Sequence, residues 1–94
     1  MQTRVDARDW EKEASSVVPF RDLVSRHALR EAKRENISLD AMEDTYVYPD
    51  DTRPSEHDEA REIRSRQFGM DVIEVVVDTI DGRVVTVWRK SQGA

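Results

Sequence analysis

The sequence has no cysteine, only three glycines and three prolines, and 6% aromatic residues among its 94. Without cysteine, neither a disulfide framework nor a thiolate metal site can form. No apolar run approaches the roughly 18 residues that a membrane span needs. The opening stretch MQTRVDARDWEKEA lacks the apolar core of a signal peptide, so the cytoplasm is the expected location. A glycine-rich phosphate loop and a nucleophile elbow are both missing. Apolar residues make up 37% of the chain and charged residues also 37%. A chain this short buries only roughly 60 to 65% of its unfolded surface. One domain over residues 1–94 is therefore expected, of modest stability, with a partner protein or a homodimer helping to cover its core.

Strong positive charge is lacking too. The net charge is −5, so bulk electrostatics do not draw this chain to nucleic acid. Any polyanion would have to be held by a local cluster. Of the fifteen basic residues three are lysine (Lys12, Lys33 and Lys90), and the rest are arginine. Guanidinium suits phosphate, because it binds bidentately and keeps its charge.

What is present begins with helical periodicity. Trp10, Ala14 and Val17 recur at helical spacing, which predicts a short helix over about Asp6 to Ser16 with Trp10 as its anchor. Pro19 disfavours helix at Val18. A second helix is expected from Asp22 or Ser25, either of which can cap it, to about Glu35. Ala28, Leu29 and Ala32 share its inward stripe, and His27, Arg30, Glu31 and Arg34 fall opposite. Asn36 follows where a left-handed residue often ends a helix. Ser38 opens a third helix, with Leu39, Met42 and Tyr46 inward. YVYPDDTRPSEHDEA reads as a loop broken by Pro49 and Pro54. Residues Arg61 to Phe68 fit a charged strand or a helix.

The end of the chain carries the strongest local pattern. VIEVVVDTIDGRVVTVW is two β-branched runs joined by Asp81 and Gly82, a pair suited to a type I′ turn. Strands are expected near Asp71 to Ile80 and Arg83 to Lys90. A two-residue loop sets Val75 opposite Trp88, Val77 opposite Thr86 and Glu74 opposite Arg89. Ile73, Val75, Val77, Val84, Thr86 and Trp88 then share one face. Val72, Val76, Val85 and Val87 share the other. The fold class is α+β, with N-terminal helices packed on an antiparallel sheet.

At this point the residues carry a family likeness. The run SRHALREAKRENIS, the YPDD loop and a hairpin ending VVTVWRK together resemble the RelE- and BrnT-like toxin superfamily. Within it, the chain is similar to a small bacterial domain family. Its members read Ser-x-His-Ala-x-x-Arg-Met-x-x-Arg-Gly-Ile-Ser, followed by a helix, an Asn-Pro-Asp-like loop and a sheet. The spacing from His27 to Ile37 and Ser38 fits without a gap. The likeness covers about residues 21–90 and leaves residues 1–20 as an N-terminal extension. It implies a RelE/barnase-like fold, metal-independent RNA cleavage, and neutralisation by a cognate antitoxin. There are departures. The family's two helical arginines fall at Glu31 and Glu35, and its glycine falls at Asn36.

RNA cleavage without a metal needs a base, an acid and cations around the phosphorane. His27 is a candidate base or acid, and in a first helical turn it would lie beside amides that favour phosphate. As the bland alternative, it is a surface or structural histidine. Arg30 is the second catalytic candidate. Arg34, Arg64, Arg66, Arg89 and Lys90 are the candidates for holding RNA phosphate, expected to converge beside His27. Helical runs such as Arg30 to Glu35 are more commonly solvated charged faces. Trp88 is more often core than a stacking platform. His57, Asp58 and Glu59 are adjacent, and three adjacent residues rarely converge on one ion, so no metal or cofactor is expected. Two functions follow: a toxin-like endoribonuclease, or a non-catalytic protein-binding module that keeps the same fold.

Overall fold

The structure, a computed structural model, describes residues 19–91. The helix expected around Trp10 lies outside them. Helix α1 (Phe20–Leu23) is a single turn following Pro19, and α2 (Arg26–Arg34) and α3 (Leu39–Val47) come next. Four antiparallel strands complete the chain: β1 (Asp51–Pro54), β2 (Arg61–Phe68), β3 (Asp71–Asp78) and β4 (Val84–Ser91), in sheet order 1-2-3-4. The α+β class is as the sequence predicts.

Serine starts both longer helices. The Ser25 Oγ accepts from the Ala28 amide at 3.0 Å and donates to the Val85 carbonyl at 3.1 Å, so one hydroxyl caps α2 and ties it to β4. Ser38 caps α3 through the Ala41 amide, also at 3.0 Å. The end of α2 is equally local. Asn36 takes a φ of 60°, the Asn36 amide donates to the Lys33 carbonyl, and the Ile37 amide donates to the Ala32 carbonyl at 2.7 Å. That pair of bonds is a Schellman closure, and Asn tolerates the left-handed position with little penalty.

Ala28 and Ala32 are buried and small, which lets α2 lie close on β4, while α3 covers β3 and β2. Met42, Ile37, Ile73, Val75, Val77, Val84 and Val87 complete the core, each large side chain contributing about 1.5 to 3 kcal/mol on burial. Arg61–Phe68, left open between helix and strand, is β2. The expected loop contains one short strand, β1, ending at Pro54. Proline suits an edge strand, where its missing amide leaves no ladder bond unmade.

The hairpin differs from expectation by one residue. Trp88 opposes Glu74, Val87 opposes Val75 and Arg89 opposes Ile73. Two features produce the shift. The loop holds four residues, Thr79 to Gly82, because the Gly82 amide donates back to the Asp78 carbonyl at 2.7 Å and the Asp78 amide to the Arg83 carbonyl. Only Gly82 has positive φ; the carboxylate of Asp81 instead accepts from the Arg83 amide, so no type I′ turn forms. A bulge then leaves Val85 unpaired between Val84 opposite Val77 and Thr86 opposite Val76. Since a one-residue slip exchanges faces, Thr86 and Trp88 move to the side away from the helices, and Val87 enters the core.

Candidate functional site

His27 is the second residue of α2 and is exposed; among the described residues it makes no side-chain hydrogen bond. Arg30 follows on the next turn, also exposed and paired with no carboxylate among those residues. Arg34 is held by Glu31, one of the two acids at positions where the resembled family has arginine.

The cations of the sheet are engaged elsewhere. Helix α3 has no basic residue in its last turn, so its final carbonyls need donors from another element. Arg64 supplies one. Its guanidinium lies over the Tyr46 ring at 4.7 Å, donates to the Tyr46 carbonyl at 2.7 Å, and pairs with Glu62 at 2.7 Å. Arg66 donates to the Tyr48 carbonyl at the helix cap, with Asp50 3.9 Å away. Arg89 braces the chain just past the α2 cap, donating to the Asn36 carbonyl and to Asp71, both at 2.7 Å. Asn36 lies past the end of α2, whereas His27 is in its first turn. Lys90 is 3.5 Å from Glu74. Of the residues expected to form a basic patch, Arg30 has no carboxylate partner among the described residues, and Arg34, Arg64, Arg66 and Arg89 are each paired with one. Helix ends and neighbouring carboxylates take these guanidiniums first.

Two hollows remain. One, of about 400 Å³, lies against α2 and α3. Leu29, Ala32, Ile37, Leu39 and Met42 form its apolar floor, and Arg21 and Lys33 stand on its rim. A second, of about 310 Å³, lies on the opposite face of the sheet between Arg53, His57, Ile63 and Trp88.

Beside that second hollow is a polar network absent from the sequence reading. Glu74 is 2% exposed, although it lies on the sheet face away from the helices. Arg53 donates to it at 3.0 Å, Ser65 Oγ at 2.6 Å and Trp88 Nε1 at 2.7 Å. Burial pushes the Glu74 pKa up, but the bonds from Arg53, Ser65 and Trp88 together outweigh it and hold the carboxyl at about 2. The Glu74 hydrogen bond in turn raises Arg53. A charge inside VIEVVV was the available signal, but finding its partners required the true register. Both Glu74 oxygens thus accept bonds from groups on β1, β2 and β4, and the network ties the four strands together on this face.

Among the described residues no three His, Asp or Glu side chains are grouped to hold a metal ion. No helix among them is long and apolar enough to cross a membrane. The sequence matches no family model, and neither a curated protein nor a solved structure matches it.

Proposed function

We propose that this domain is a non-catalytic protein-binding module of the cytoplasm. One observation carries the reading: five of the seven residues expected to handle RNA are each paired with a carboxylate, namely Arg34, Arg64, Arg66, Arg89 and Lys90. Cleavage without a metal needs uncommitted cations converging on one phosphate. Here Arg64 and Arg66 also hold the carboxyl end of α3, and Arg89 the carbonyl just past α2, so recruiting them to RNA would cost fold stability. An acidic total charge works in the same direction. The apolar hollow against α2 and α3 supplies the kind of concave surface that a protein partner, such as the cognate antitoxin that the family likeness implies, would fill.

The ribonuclease reading keeps one supporting observation, the exposure of His27 and Arg30 on successive turns of α2 with no acidic partner among the described residues. A cleavage assay separates the two. The purified chain, incubated with several structured and single-stranded RNAs in EDTA, should leave them intact, and its expression should not slow bacterial growth. EDTA-resistant cleavage that His27→Ala removes at matched circular dichroism would restore the ribonuclease assignment.

A further inference from the structure

We infer that the hollow against α2 and α3 is a docking groove for an acidic amphipathic helix of a protein partner. The inference rests on the binding-module reading and names the partner's chemistry. The floor is apolar and continuous with the core, since Ala32, Ile37 and Met42 are buried residues of that core and Leu29 and Leu39 pack against it. The rim has one sign of charge. Arg21 from α1 and Lys33 from α2 both line the groove, both are exposed, and neither pairs with a carboxylate among the described residues. Among the described residues no acidic side chain lines it, although α3 carries Asp40, Glu43 and Asp44 nearby in sequence.

That arrangement runs against the chain as a whole, whose net charge is −5. A cation pair with no carboxylate partner among the described residues, around an apolar floor, selects a ligand with the complementary pattern: an apolar stripe flanked by carboxylates. Dimensions agree with a helix. The groove runs from Leu29 to Lys33 along α2, about 6 Å of helix rise, and on past the helix end to Asn36, which admits i and i+3 or i+4 anchors of a partner helix. An adjoining hollow over Arg30, Lys33 and the paired Glu31 and Arg34 adds Arg30 to the basic surface along the same helix.

The test uses the full chain and a labelled peptide of about 16 residues with Leu at i, i+3, i+4 and i+7 and Glu on the flanks, read by anisotropy. Binding near micromolar is expected, with a gain of peptide helicity, because so short a helix is marginal alone. The double variant Arg21→Glu/Lys33→Glu changes only exposed side chains. It should bind this peptide about tenfold more weakly or worse, and should prefer a peptide with Lys in place of Glu. Equal binding by the charge-reversed protein overturns the inference, as does equal binding of a peptide whose leucines are alanine. A single-stranded RNA that competes with the peptide for the groove also overturns it. So does a homodimer that the double variant dissociates. If the peptide fails to bind while RNA stays uncut, only this groove assignment falls. Cleavage in EDTA removes the module reading itself.

Discussion

The indole Nε1 of Trp88 donates to Oε1 of Glu74 at 2.7 Å, across a directly opposed pair of β3 and β4. With Arg53 and Ser65 it holds a buried carboxylate ionised, at about 2 against an ordinary value of 4.5. A depressed folded-state pKa stabilises the fold above the unfolded value, and that contribution disappears as pH falls from about 4.5 towards 2. Its size is on the order of 3 kcal/mol. Chemical denaturation from pH 6 to pH 2.5 should show this loss in the parent. In Glu74→Gln the acid limb should flatten, at the cost of lower stability at pH 7. An acid limb of equal steepness in both proteins would remove Glu74 as its source.

The bulged register predicts opposite fates for two neighbours. Val87 is in the core and Thr86 is on the far face of the sheet. Val87→Asp should lose about 3 kcal/mol or more and unfold this small domain, because it buries an unpaired charge. Thr86→Asp should remain folded. Thermal melts of the two variants check it, and the reverse order would restore the expected two-residue loop.

Gly82 has a φ of +77°, and a Cβ there would stand 3.2 Å from the Tyr46 hydroxyl, which itself donates to the Gly82 carbonyl at 2.7 Å. Gly82→Val should therefore cost about 2 kcal/mol, combining left-handed strain with a disturbed tyrosine contact. A domain of this size should melt roughly 8 to 16 °C lower. An unchanged melting temperature would contradict the positive φ.

The helices were more legible than the sheet because their signals are local. Ser25 and Ser38 cap through amides three residues on, and Asn36 donates to Lys33, so these roles can be read from spacing, whereas the second bond of Ser25, to the Val85 carbonyl, cannot. The hairpin depends on whether Asp81 takes positive φ or bonds the Arg83 amide, which Asp-Gly does not specify. The resulting bulge then decides where Trp88 and Arg89 point. For the arginines the clue was an omission: DAMEDTYV has no basic residue in its last turn and no following glycine, so its carbonyls had to be served from a distance. Which arginines serve them is a tertiary property. Arg53 went unnoticed because its strand looked like loop.

The claim that the sheet arginines hold helix ends and not phosphate is tested most directly by unfolding Arg64→Ala and Arg30→Ala beside the parent at pH 7, with RNA affinity measured on the same samples. Arg64→Ala removes the bond to the Tyr46 carbonyl, the Glu62 pair and the stacking on Tyr46. It should lose about 1.5 to 3 kcal/mol with no specific RNA binding to lose. Arg30→Ala, on an exposed helix face, should stay within about 0.5 kcal/mol of the parent. An Arg64→Ala protein as stable as the parent but weaker in RNA binding would contradict the account.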